Sequence, residues 1–197
     1  MHRFRWLPVS AAAVLLATLI LMPPERSVGG LLRVIFLHGA LVRVAVGLFL
    51  LSGLAALVAL VKEAPQAWAW TRALQLVALV AWAAGFVISF YPSYVTWGTA
   101  IVWAEPRTQM MVRVLVIATL VFGITRWLDD DRLIAVGTLA VGLMVPLLIA
   151  LTGVIRHPLD PVGTSPSLTL RLTYGLVIAS LGVLALWWAA YMVECKA

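Results

Sequence analysis

Charge is scarce in this chain. Only 11% of its 197 residues are Asp, Glu, Lys or Arg, against 63% apolar residues. A soluble domain usually carries about a quarter charged and roughly half apolar residues. So much apolar surface cannot be hidden inside one small globule. The mean hydropathy of +1.06 therefore excludes an ordinary soluble domain and a disordered chain. Cysteine is nearly absent: Cys195 alone can form neither an internal disulfide nor a multi-thiolate zinc site. No Cys-x-x-Cys-His segment occurs, so the chain carries no c-type haem attachment site of its own. Lysine occurs only at Lys62 and Lys196. The formal charge of +6 is carried mainly by arginines at the ends of apolar runs, where lipid headgroups select them. Without a basic cluster interleaved with aromatics, nucleic acid is not an expected partner.

What is present is a series of long apolar runs. A helix needs about 20 residues to cross the hydrocarbon, and six stretches qualify as candidates: 6–22, 38–61, 69–91, 108–128, 133–155 and 170–192. The expected fold is therefore an all-α membrane protein, a single six-transmembrane-helix bundle over residues 1–197. Barrel strands would instead be short and alternating. Pro23-Pro24, Pro65, Pro92, Pro106, Pro158, Pro161 and Pro166 punctuate the runs, while Pro146 falls inside the fifth and predicts a kink there. Asp131 and Ser165 are candidate helix N-caps, with Pro166 at a first helical position. The basic N-terminus, His2-Arg3-Phe4-Arg5, precedes a run with no small-x-small cleavage site, which predicts an uncleaved first helix.

Six spans put both termini on one side and loops one, three and five on the other. His38 and His157 then share a face with the aromatic segment from Tyr91 to Trp103. Arginine divides the faces poorly, with seven basic residues assigned to each, so the expectation that both termini are cytoplasmic rests on the basic N-terminus. Counting about 20 residues back from Val61 reaches Val42, which puts His38 just outside the hydrocarbon. Arg156 and His157 follow the fifth span at a similar depth. Two imidazoles on different helices can ligate one haem iron; each can equally be an ordinary interfacial histidine. Tyr91, Tyr94, Trp97 and Trp103 suit an aromatic belt, or, at a spacing of three, one face of an interfacial helix covering a flat macrocycle. Arg113 lies five residues into the fourth span, where a charge either faces the bundle or a ligand or else snorkels to the interface. No nucleophile–base–acid set is visible, and the phosphate-loop spacing is missing. The chain is therefore not expected to be an enzyme.

These residues resemble the CcmC/CcsA group, the membrane haem-handling proteins of cytochrome c biogenesis. Arg33-Val-Ile-Phe-Leu-His38 is similar to the group's R-x-x-F/Y-x-H before the second helix. Trp97-Gly98-Thr99-Ala100-Ile101-Val102-Trp103 resembles its tryptophan-rich signature W-G-x-x-W-x-W-D, with Arg107 and Thr108 for the basic residue and threonine that follow. Val145-Pro146 and Arg156-His157 are similar to its V-P…R-x-L-H. The likeness runs along nearly the whole chain and includes the six-span count of the short form. The sequence also departs from it. Gly39-Ala-Leu-Val-Arg43 replaces V-P-S-A-W, and Ile101 replaces a tryptophan. The aspartate is either Ala104 or, with one residue inserted, Glu105 in Glu105-Pro106-Arg107.

The resemblance implies transient, non-covalent b-type haem at the external face of a bacterial plasma membrane. His38 and His157 would be its axial ligands, Trp97 and Trp103 its cover, and Arg107, Arg113 and Arg156 candidates for its propionates. Cargo would pass to a haem chaperone or an apocytochrome, alongside other cytochrome c maturation subunits. The competing expectations are a structural or haem-anchoring subunit of a respiratory or photosynthetic membrane complex, and a small-molecule transporter.

Overall fold

A computed structural model describes residues 6–22, 24–25, 28–155 and 162–195. The described residues form seven helices: α1 (Trp6–Leu21), α2 (Leu32–Lys62), α3 (Pro65–Ile88), α4 (Phe90–Trp97), α5 (Pro106–Leu128), α6 (Asp131–Leu151) and α7 (Leu168–Glu194). No strand occurs among them; Glu25 and Gly29 make one isolated bridge. Five helical stretches are long and apolar enough to cross a membrane, with α3 and α4 acting as one. In α1, 16 residues rise about 24 Å, short of a hydrocarbon layer of about 30 Å. The expected six full-length spans are thus five plus a shorter apolar helix.

Each boundary has a local cause. The second helix starts at Leu32, six residues before the expected 38, because the run Leu31–Leu37 is apolar apart from Arg33 and nothing stops a helix until Gly29 at φ +57°. The third span runs on through Ser89 (φ −63°, ψ −20°) into α4, so Pro92 falls in the first turn of a new helix rather than in a loop. Gly98, at φ +74°, ends α4 by donating its N–H to the Tyr94 carbonyl at 2.9 Å. The fifth span ends early, at Leu151, and continues helical through Pro146.

Two capping expectations shift by one and two residues. Asp130, not Asp131, accepts from Leu133 N, at 3.0 Å. Ser167, not Ser165, accepts from Leu170 N, at 3.3 Å. A cap must stand in extended backbone just outside the first turn, and Asp130 (φ −105°, ψ 117°) and Ser167 (φ −76°, ψ 107°) do so.

The core lies where α2 and α3 pack as a hairpin and α5, α6 and α7 close around them. Phe49 and Trp82 meet edge to face inside it, at 6.2 Å. The α2–α6 crossing is made by Gly53 and Gly142: a Cβ on Gly142 would stand 2.8 Å from Phe49 O and 3.0 Å from Gly53 Cα. Close backbone approach through small residues is how helices associate where lipid removes the hydrophobic drive. A smaller cluster of Met22, Leu32, Phe36, Ala40, Tyr174 and Val177 joins α1 and α7 to the start of α2.

The hairpin ends sort into two faces. At one, Arg132 pairs with Glu63 at 2.9 Å and Arg72 pairs with Asp131, joining the α2–α3 turn to the α5–α6 turn. Both turns are two residues long and begin with a left-handed residue, Glu63 (φ 48°) and Asp129 (φ 49°). At the other face lie the start of α2, helix α4, the start of α5 and the residues after α6.

Candidate functional site

His38 is a half-buried residue in the second turn of α2, and its Nδ1 lies 2.8 Å from the carbonyl oxygen of Gly85 on α3. A carbonyl only accepts, so Nδ1 carries the proton, and in the neutral tautomer this fixes, the lone pair belongs to Nε2. Gly85 makes the contact possible. A Cβ there would meet Val42 Cγ2 at 3.1 Å and Leu41 Cβ at 3.4 Å, so the missing side chain lets α3 pack tightly on α2. The next residue of α2, Gly39, faces the Tyr174 hydroxyl, which a Cβ would meet at 2.6 Å. Tyr174 packs on Phe36 at 4.7 Å and lies under the Arg43 guanidinium at 4.8 Å.

The tryptophan-containing segment splits between helix and turn. Tyr91, Tyr94 and Trp97 stand on α4, but only the two tyrosines are well exposed, at 60% and 63%, while Trp97 is half-buried. Ser93 Oγ donates to Thr99 O at 2.8 Å and folds the chain after Gly98 back onto α4. Trp103 is exposed, and its carbonyl accepts from Gln109 Nε2 at 2.8 Å.

Among the described residues Glu105 is the buried acid of this face, 1% exposed. It precedes Pro106 in the N-cap position of α5, but its side chain does not cap that helix. Instead Oε1 accepts the backbone N–H of Ile155 at 3.3 Å. The carboxylate therefore ties the third loop to the residue that precedes Arg156 and His157 in sequence.

The arginines fare differently from one another. Arg107, in the first turn of α5, is half-buried, and its Nε is buried without a hydrogen-bond partner among the described residues. Arg113 does not face the bundle as one of its two readings expects. It is exposed, and its Nη2 donates to Gln109 Oε1, one turn nearer the start of α5, at 3.1 Å. The long stem lets the charge run back along the helix, the behaviour expected of a snorkelling side chain. Arg33 donates to Met22 O at 3.1 Å. Arg156 and His157 lie outside the described residues, as do Arg26 and Asp160.

His38, α4, Trp103, Arg107 and Glu105 thus gather at one end of the bundle, and Arg113 lies on its outer surface. Sequence reading did not single out Gly85 or Tyr174, which hold His38 and its helix: a backbone carbonyl leaves no mark in a side-chain pattern, and a tyrosine in an apolar run looks like any core aromatic. Neither a family model nor a curated protein matches this chain, so the likeness to the CcmC/CcsA group rests on the quoted residues alone.

Proposed function

We propose that this chain is a multi-pass protein of a bacterial plasma membrane that binds haem at the external face and passes it to a chaperone or apocytochrome during cytochrome c assembly. In this reading it is a carrier rather than an enzyme. The six apolar helices all cross or enter the bilayer, both termini are cytoplasmic, and α4 lies along the external interface. His38 and His157 ligate the iron, Trp97 and Trp103 cover the macrocycle, and Arg107 and Arg156 meet the propionates. Arg113, engaged with Gln109 on the outer surface, is the weakest member of that set.

The observation that carries this reading is the bond from His38 Nδ1 to Gly85 O. Metal-bound histidines characteristically donate their other ring nitrogen to a carbonyl or carboxylate, which fixes the tautomer and aims the ligating lone pair. Depth supports it as well. The 31 residues of α2 rise about 46 Å, so a length of helix containing His38 projects beyond about 30 Å of hydrocarbon. The Glu105–Ile155 contact supports a site shared between the third and fifth loops.

The test is the absorption spectrum of the purified protein beside His38→Ala and His157→Ala. The expected result is a low-spin, six-coordinate haem spectrum, converted to a high-spin one or lost in each variant. Protein that purifies and reconstitutes without haem, or a spectrum indifferent to both substitutions, overturns the reading.

A further inference from the structure

Gln75 on α3 is 2% exposed, yet neither its Oε1 nor its Nε2 has a hydrogen-bond partner among the described residues. On the helix wheel it shares a face with Thr71, Ala78 and Trp82, at spacings of −4, +3 and +7. All three are fully buried. Trp82 donates its Nε1 to Met111 O of α5 at 3.0 Å and touches Phe49 of α2, so this face looks into the bundle and away from lipid. Gln75 stands ten residues from Pro65, about 15 Å along the helix and near the middle of a hydrocarbon layer of about 30 Å. Ser52 stands ten residues from Lys62, at the other side of the same tight turn. It is therefore level with Gln75, and it is fully buried too.

Such an amide demands partners. It offers two donors and a carbonyl, and no bulk water reaches the core of a bundle in lipid. Leaving it dry would cancel a large part of a typical folding free energy, whereas Leu or Met would fill similar space at no such cost. The buried hydroxyls on this stretch of α2 and α3 have already committed their protons: Ser52 Oγ donates to Phe49 O at 2.8 Å and Thr71 Oγ1 to Ala67 O at 2.8 Å. Their oxygens remain acceptors only, so they cannot donate to the Gln75 carbonyl. An occupant must both donate and accept. It must also be uncharged, because the only charged residue buried among those described is Glu105, at the end of the bundle. And it must be small, since Val77, Ala78, Trp82, Val114 and Ala118 of the surrounding core are at most 2% exposed.

We propose that Gln75 anchors an internal water site at mid-depth in the helix bundle, with the amide supplying donors and acceptor and the buried hydroxyl oxygens adding acceptors. Ordered buried waters typically take about three hydrogen bonds from groups that protein alone leaves unpaired. This site is separate from the haem reading and stands whether or not haem binds.

The test is solid-state NMR of the full chain in phosphatidylcholine and phosphatidylglycerol liposomes, with nitrogen-15 in glutamine side chains. The chain has three glutamines, Gln66, Gln75 and Gln109. Gln66 and Gln109 lie in the first turns of α3 and α5 and serve as controls. Magnetisation starting on water protons should reach the Gln75 amide nitrogen, and Gln75→Met should remove that line and no other. If Gln75→Met fails to fold, Gln66→Asn and Gln109→Asn assign the line by elimination. Transfer to Gln66 and Gln109 but not to Gln75 overturns the proposal. So does a through-space contact placing a protein carbonyl carbon at hydrogen-bonding distance from the Gln75 nitrogen.

Discussion

Trp82 shows how a single side chain serves two purposes. Its indole is fully buried, packs edge to face on Phe49 and spends its one donor on the Met111 carbonyl. Apolar contact and a satisfied donor together are what a buried tryptophan requires. Trp82→Phe keeps most of the ring and deletes the hydrogen bond, so we expect a loss of about 0.5–1.5 kcal/mol, measured as a lower unfolding midpoint in detergent. An unchanged midpoint would mean that the bond contributes nothing net. Among the candidate site residues, the types at His38, Trp103 and Arg113 were legible in sequence, but their partners were not. Gln109 bonds the Trp103 carbonyl and also Arg113, the latter an i to i+4 pairing that helical geometry permits without requiring. The placement of Glu105 is less legible still, since its carboxylate accepts from Ile155, fifty positions away.

At the scale of elements, glycine position decides which helices touch closely. Gly142 is pressed against backbone, the Phe49 carbonyl and Gly53 Cα, and backbone cannot rotate aside. Gly142→Ala should therefore push α2 from α6 and cost about 1–3 kcal/mol, as overpacking does. Gly175 on α7 has open space where its Cβ would be. There the same substitution should be neutral or stabilising by up to about 1 kcal/mol through helix propensity. Thermal unfolding of the two variants side by side separates them, and equal effects would refute the packing argument. Ion pairs at the turns matter less. Glu63 and Arg132 keep side-chain exposures of 68% and 76%, so the pair is solvated and screened. Arg132→Ala should shift stability by no more than about 1 kcal/mol, with a still smaller shift at high salt. The existence of these helices was readable from length and apolarity, and most ends fell within a few residues of the expected ones. The exceptions were α2 and α4. The second span was expected from 38 and Pro92 looked like a breaker, yet Arg33 already lies within α2, donating to Met22 O from the second residue of the helix, and Pro92 occupies a helix start, where its missing N–H costs nothing.

For the molecule as a whole, the pairing of turns joins the α2–α3 and α5–α6 hairpins at one face, through Glu63–Arg132 and Arg72–Asp131. Under the proposed topology this face and the C-terminus are cytoplasmic. Cys195 is exposed and is the chain's one cysteine, and Ala100 is exposed in the turn after α4. In sealed vesicles, membrane-impermeant maleimide should label native Cys195 from one side and, in a Cys195→Ser background, Ala100→Cys from the other. Labelling of both from the same side would refute the topology and, with it, the proposed external haem site.

Composition alone determined that this chain is helical and carries helices long and apolar enough to cross a membrane, because backbone groups in lipid must bond within their own segment and the apolar runs are long enough to do so. Parity of the helices, also readable from sequence, determined which loops share a face. Tertiary structure decided what neither period nor composition encodes. Which glycine sits at a crossing, which carbonyl His38 meets, and which residues turn a hairpin without glycine at Glu63 and Asp129 are settled by contacts between segments far apart in the chain. So is the isolation of Gln75. In sequence it is one polar residue in an apolar helix, free to face lipid headgroups, a neighbour or solvent, and only the closure of the other helices around α3 turns it inward.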